Sequence, residues 1–430
     1  MNNPNRYYLV TGAAGFLGSH VCSQLLDAGC RVRALVLPND SAVRFVPQQA
    51  EVVLGDLTSE ASLAPFFAVP QGCTSVVIHC ASMVSVDPAY SEKLMAVNVG
   101  GTRNVITQVL AHPECEKMVY VSSTGAIPEQ PMGTKIREVD KFDPYDPAKV
   151  VGAYAQSKAK ATQMVLDAVH VMGLKACVVH PSGILGPNDH ALGETTRTLL
   201  QIIRGEMPLG IQGSFNLCDV RDLAAGTIAA VDKGRIGQCY ILANQPVTLK
   251  QLCDMLHETC HSKSIPFYLP LGLADKLAKG LEKQARLTGK KPLMTTFSVY
   301  NLARNNDFDD TKARQELGYT TRPYQQTIHD EVQWMQQEGL LDIPKATQPE
   351  QRPFSDADNV AAFQKYRQDS AQALDALETG AAAAYHKIED GVVGTYKHIE
   401  QGAVSAYQSI EQQFVTHFLN HDDPTKDQQS

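Results

Sequence analysis

The sequence predicts an α/β fold, a doubly wound parallel sheet, on three observations. A short apolar strand (Tyr8, Leu9, Val10), a turn punctuated by Gly12, Gly15 and Gly18, and a helix over residues 16–28 follow one another directly from the N-terminal end. A second strand at 31–37 completes a βαβ unit of the expected size. Further strands recur at 51–54, 75–79, 117–122 and 176–180. This alternation is that of a Rossmann-type sheet, here with a smaller C-terminal α/β part for substrate and an appended helical tail.

Each element has a chemical reason. A glycine-rich turn between strand and helix lets backbone come close to a pyrophosphate, whose charge then faces the helix N-terminus. Gly12, Gly15, Phe16, Leu17 and Gly18 are therefore expected around a dinucleotide. The third strand runs into Gly55, Asp56 and Leu57, where the carboxylate would meet an adenine amino group. The fourth ends in Cys80, Ala81 and Ser82, small residues suited to close approach of a flat cofactor.

Taken in chain order, TGAAGFLG, GDL at Gly55, HCAS at His79, NVGGTRNV from Asn98, VYVSST from Val119, YAQSK from Tyr154, HPSGILGP from His180, DVRDLA from Asp219 and DDTKARQELGY from Asp309 resemble the stations of an extended short-chain dehydrogenase/reductase. The likeness spans about residues 6–340 and is closest in pattern to the dihydroflavonol-reductase and 3β-hydroxysteroid-dehydrogenase branch of the epimerase/dehydratase family. Sugar-nucleotide members usually carry an arginine before the proline of the seventh station and an asparagine soon after. His180 and Ser182 stand there instead.

The chemistry is expected in Ser123, Tyr154 and Lys158. Ser123 falls at the C-terminal end of a strand, where an open parallel sheet forms its ligand crevice. Tyr154 and Lys158 lie four apart at the start of a helix, on one face. A phenol is a poor base at neutral pH, and an adjacent ammonium favours the phenolate. The resemblance implies that Lys158 also reaches the nicotinamide ribose and that Tyr154 exchanges a proton with the substrate oxygen held by Ser123. It further implies that Asn98 stands near the active site and that Pro181 and Ser182 flank the nicotinamide. Ser122, by strand alternation, points away from the cofactor.

Cofactor choice turns on the end of the second strand, where an acid selects NAD and an arginine pairs with the 2′-phosphate of NADP. RVRALVLPNDS places Leu37 and Pro38 there, leaving Asp40 for a ribose and Arg33 or Arg44 for a phosphate, with a slight lean to NAD. The inserted stretch at 128–147 is a lid or a solvated loop. The substrate region is expected from Gly125 to Gly152, the loop after Pro181 and most of residues 187–300, with an apolar-striped helix after Phe267.

Composition points to a cytoplasmic enzyme. Hydrophobic residues make up 43% and charged residues 20%, ordinary globular values. No N-terminal signal pattern and no membrane-spanning apolar run is present. The ten cysteines form neither a CxxC pair nor a His/Cys ligand cluster, so no metal is expected. The formal charge of −8 sits almost wholly beyond residue 345, and there is no basic block for nucleic acid.

The chain divides at about residue 345 into an enzyme domain and a tail. The nucleotide-binding core covers about 6–185 and 215–245; the substrate part covers about 186–214 and 246–340. Beyond lie a linker and start of helix at 346–377, a repeat helix at 378–420 and a disordered end at 421–430. ETGAAAAYHKI, EDGVVGTYKHI, EQGAVSAYQSI and EQQFVTHFL repeat every 11 residues and gather Tyr385, Tyr396, Tyr407, Ile388, Ile399 and Ile410 on a narrow seam. Such a seam packs on its own domain, self-associates or binds a protein; the recurring acids argue against a lipid surface.

The activity expected is hydride transfer between NAD(P) and a secondary alcohol or ketone of small or medium size. The alternatives are an epimerase or dehydratase that retains NAD, and a nucleotide-binding regulatory or scaffold protein acting through the tail.

Overall fold

The computed structural model describes residues 3–139, 145–288, 292 and 294–341. The linker and the repeat tail lie outside the described residues.

Six strands, β1 (Arg6–Thr11), β2 (Arg31–Val36), β3 (Glu51–Leu54), β4 (Thr74–His79), β5 (Cys115–Val121) and β6 (Ala176–Pro181), join Cys239–Leu242 in one seven-stranded sheet. From one edge the order is Cys239–Leu242, β6, β5, β4, β1, β2, β3, and every pairing is parallel. Both faces of β1 and β4 are covered, so these strands read as near-continuous apolar runs rather than alternating ones. Side chains still alternate in direction: Tyr8 and Val10 enter one core with Val21 and Leu25 of helix α1 (Phe16–Asp27), whereas Leu9 enters the other with Phe66, Met118 and Tyr120. Helix Val220–Lys233 shares the first face with α1, and Gly101–Ala111 and Ala153–Met172 cover the second.

The chain leaves β1 toward β2 on one side and returns at β4 on the other. This reversal opens a crevice at the C-terminal ends of β1 and β4, where open α/β sheets take their ligands.

A smaller part stands beyond β6. Strands Gly183–Leu185, Ser214–Asp219 and Pro246–Thr248 form a second sheet, and Gly210–Ile211 pairs with Tyr268–Leu269. Helices Glu194–Ile203, Leu249–Cys260 and Tyr324–Gln337 close over it through Leu199, Leu252, Leu256, Ile328, Val332 and Trp334. The fully buried Glu331 ties this cover to the turn after β6: its carboxyl accepts from Gly186 N at 2.8 Å and lies 3.3 Å from Thr196 Oγ1, which itself is 2.7 Å from Asp189 Oδ2.

The insert at 128–147, read from sequence as a lid or a solvated loop, is neither over its first half. Asn305 Nδ2 donates to the carbonyls of Gln130, Pro131 and Thr134, the last at 2.8 Å. Ile136 N donates to Asp307 O and Asp309 N to Ile136 O, both at 2.8 Å, and Glu138 accepts from Ile241 N at 2.9 Å. Residues 128–138 are a strap sewn to the C-terminal segment and the sheet edge.

Candidate active site

Three glycines shape the turn after β1 for different reasons. Gly12 has φ +67°, and a Cβ there would lie 2.7 Å from the Ala81 backbone. At Gly18 a Cβ would meet Gly12 O at 2.1 Å, so only glycine lets α1 pack on the turn. Gly15 is under no such demand: its φ is −82° and a Cβ would touch Gly12 O at 3.2 Å. The protein's own packing leaves the space above Gly15 open, at the N-terminus of α1, where helix amides favour an anion.

The floor of the crevice is a closed polar network. Thr102 Oγ1 donates to Asn98 O at 2.6 Å, so it can only accept from His79 Nε2 at 3.1 Å. The other ring nitrogen, Nδ1, then accepts from Thr11 Oγ1 at 2.6 Å, and Thr11 in turn accepts from Ala81 N at 3.2 Å. Burial lowers the His79 pKa to about 3, which keeps the ring neutral and the network intact. His79 and Thr11 were not singled out as functional from sequence; their place at the last positions of β4 and β1 was the available signal.

Asn98 sits buried in a single π turn, Ala96–Gly100, a helix irregularity common at functional sites. Its amide is spent within the protein. Oδ1 accepts from Met83 N at 2.7 Å and Ser82 Oγ at 3.2 Å, while Nδ2 donates to Met83 O and Ser157 Oγ, each at 2.9 Å. Placed by the resemblance near the active site, it clamps the segment after β4 onto helix Ala153–Met172. Ser157, missed within YAQSK, is the other jaw.

Ser123 follows β5 in extended backbone, and its Oγ accepts from Gly125 N at 3.1 Å. Tyr154 faces it from the first turn of helix Ala153–Met172. Burial raises the Tyr154 phenol above its usual 10.0, opposed by hydrogen bonding to the Ser123 and Ser82 hydroxyls. One turn on, the buried Lys158 donates from Nζ to Val121 O at 2.8 Å and lies 5.2 Å from the Tyr120 ring. Burial lowers its pKa to about 7. The sequence argument expected Lys158 to pull the phenol down; here desolvation is the largest influence on Tyr154, and what opposes it comes from the Ser123 and Ser82 hydroxyls rather than from Lys158. Ser122 points away as expected, its Oγ 2.6 Å from Thr162 Oγ1.

The remaining expected contacts divide. Ala81 and Ser82 line the crevice. Pro181 ends β6, but Ser182 is buried with its hydroxyl donating to Cys218 Sγ at 3.2 Å. Asp56 accepts from Thr58 N and Oγ1 at 2.8 Å through one oxygen, and Leu57 packs against Gly101. At the corner after β2, Arg33 is buried, donating to Pro65 O, Phe66 O and Ala68 O and pairing with Glu51 at 3.0 Å; it is no phosphate ligand. Asp40 caps the next turn through Ala42 N at 2.9 Å. Arg44 is exposed, its guanidinium 4.7 Å from the Phe45 ring centroid.

A family model described as the NAD dependent epimerase/dehydratase family matches residues 8–243. The chain belongs to that family. Among epimerase/dehydratase relatives, a putative dihydroflavonol 4-reductase of Synechocystis sp. is 31% identical over 342 residues, covering 78% of this chain and 96% of its own. A 4-hydroxy-2-methyl-3-oxo-4-farnesyl-3,4-dihydroquinoline-1-oxide ketoreductase of Stigmatella aurantiaca is 31% identical over 324 residues, 73% of this chain and 91% of its own. The solved structure of gox2253 superposes with TM-score 0.68 at 31% identity, covering 79% of this chain and all of that one. Relatives are named reductases and dehydrogenases, and this chain is an enzyme of the epimerase/dehydratase family with a Rossmann-like α/β fold. Among its described residues no helix is long and apolar enough to cross a membrane.

Proposed function

We propose that the protein is an NAD(P)-dependent oxidoreductase that interconverts a ketone and a secondary alcohol, with Tyr154 as acid and base. The observation that carries this reading is the meeting of Ser123, Ser82 and Tyr154 at the end of β5, beside a crevice whose glycine turn is open above Gly15. The residues fit a dinucleotide. The turn 12–18 and the first amides of α1 would hold the pyrophosphate, Ala81 would let the flat rings approach, and Lys158 would turn from Val121 O to the ribose.

The cofactor supplies hydride to, or takes it from, the substrate carbon. Ser123 Oγ accepts from Gly125 N and its hydroxyl is hydrogen-bonded to Tyr154; with substrate bound it would turn to the substrate oxygen and orient it. Tyr154 then moves a proton to or from that oxygen. Raised above its ordinary value, Tyr154 stays protonated at neutral pH and so stands as the proton donor in ketone reduction, although the same shift makes it a weaker acid. Charge on Lys158 lowers the proton affinity of the phenol, so a ribose that holds the ammonium near it would tune Tyr154.

With Arg33 committed to the core, the corner after β2 discriminates weakly: Asp40 retains one free carboxylate oxygen for a ribose, and Arg44 is free to meet a 2′-phosphate. Both NADH and NADPH are accepted.

The test is reduction of acetophenone, cyclohexanone, 2-octanone and ethyl acetoacetate with each reduced cofactor, followed by loss of nicotinamide absorbance. Tyr154→Phe should keep cofactor affinity and lose roughly 10²–10⁴-fold in turnover. Near-normal turnover of Tyr154→Phe would move the chemistry elsewhere. Retained NAD with interconversion of two epimers would favour the epimerase reading instead.

A further inference from the structure

Behind Ser123 lies a second polar pair that none of the reacting residues requires. His180, the penultimate residue of β6, is completely buried, and so nearly is Tyr145. The His180 ring bridges two segments: Nδ1 is 2.9 Å from the backbone carbonyl of Ser123, and Nε2 is 3.0 Å from Tyr145 Oη. The two rings are nearly parallel, with centroids 5.3 Å apart.

Donor counting fixes the arrangement. A carbonyl oxygen only accepts, so Nδ1 carries the hydrogen and donates to Ser123 O. In the neutral ring Nε2 is then a lone pair, and the Tyr145 hydroxyl donates to it. Burial lowers the His180 pKa to about 4, which agrees with a neutral ring. Tyr145 is itself anchored, since its N–H donates to Gln163 Oε1 at 2.9 Å on helix Ala153–Met172, the helix that bears Tyr154.

We propose that His180, held in one tautomer by Tyr145, is the positioning residue for Ser123, fixing the peptide that carries the hydroxyl at the distance from Tyr154 that proton transfer needs. The proposal rests on the oxidoreductase reading above. It couples three segments that the substrate must engage together: the end of β5, the turn after β6 and the chain entering the Tyr154 helix. Because the ring grips the Ser123 backbone and leaves the hydroxyl free, its loss acts on the transition state and spares binding of cofactor.

The two amide side chains separate the two ring contacts. In His180→Asn the amide nitrogen stands near the Nδ1 position and can keep donating to Ser123 O; in His180→Gln the amide reaches the Nε2 position and keeps only Tyr145. With NADH or NADPH and the fastest ketone of the panel above, His180→Asn should keep kcat within about threefold, whereas His180→Gln should lose about 10–100-fold at unchanged KM and cofactor affinity. Equal turnover of two folded variants overturns the proposal. If a variant does not fold, the full-length protein decides the matter: nitrogen-15 correlation spectra of the histidine rings should show His180 as the Nδ1–H tautomer, and an Nε2–H ring overturns it. Turnover that survives in Tyr154→Phe would instead sink the oxidoreductase reading, leaving this tautomer result standing.

Discussion

The turn after β1 and the strap at 128–138 are built on opposite terms. In the turn, every constraint is met by residues close in sequence or on the neighbouring strand: Gly12 against Ala81, Gly18 against Gly12. In the strap the decisive bonds join positions far apart, Asn305 with Thr134 and Asp307 with Ile136. The first kind of order is written as a motif with fixed spacing. The second is visible only once the chain has folded.

The sharpest break of this contrast lies within the turn itself. Gly18→Val would press a Cβ into Gly12 O and should leave the protein insoluble or unfolded on a chaotrope titration. Gly15→Val, whose Cβ needs Gly12 O to give by only a few tenths of an ångström, should fold and lose roughly 100-fold or more in NADH affinity by nicotinamide fluorescence. Equal stability of both variants would show that the glycines do not divide into packing and ligand roles.

Lys158→Met comes next. The Lys158 pKa falls from 10.5 to about 7 in the folded protein. Between those values the unfolded chain binds more protons, so wild-type stability rises with pH across the window and is lowest at and below about pH 7. Lys158→Met should therefore be more stable than wild type at pH 7, with the gap closing toward pH 10, while binding cofactor less tightly. A gap that does not vary with pH would mean the ammonium is not desolvated.

For the strap, Asn305→Ala removes the donor shared by three carbonyls. It should cost about 1–3 kcal/mol in denaturant melts, with KM for ketone rising and cofactor affinity unchanged. A change confined to the cofactor would place the strap on the wrong side of the crevice. The smallest effect is expected at the corner after β2, where Arg44→Ala should weaken NADPH by roughly tenfold or less and leave NADH alone.

The sheet, its crevice and the meeting of Ser123 with Tyr154 were legible because strand ends and helix periodicity dictate them. Asn98 was legible as a residue near the site but not in its partners, because a π turn redirects its amide to Met83 and Ser157. Ser182 was misleading for a similar reason: its hydroxyl finds Cys218, which lies on a strand of the smaller sheet. Arg33 read as a candidate phosphate ligand until three carbonyls beyond β3 claimed its guanidinium. In each case the partner lay in a part of the chain that spacing alone does not bring near.

Glu331 carries a consequence for the alkaline side. Burial, with Asp189 and Asp219 nearby, pushes its carboxyl up to about 8, so at neutral pH it holds a proton. Thr196 gives its hydrogen to Asp189, which leaves the protonated Glu331 to donate to Thr196 and complete a chain of acid, hydroxyl and carboxylate. Between the ordinary 4.5 and about 8 the folded protein binds more protons than the unfolded chain, so this contribution to stability declines as pH rises and is gone above about 8. Mild base should therefore weaken the joint between helix Tyr324–Gln337 and the residues that follow strand Gly183–Leu185.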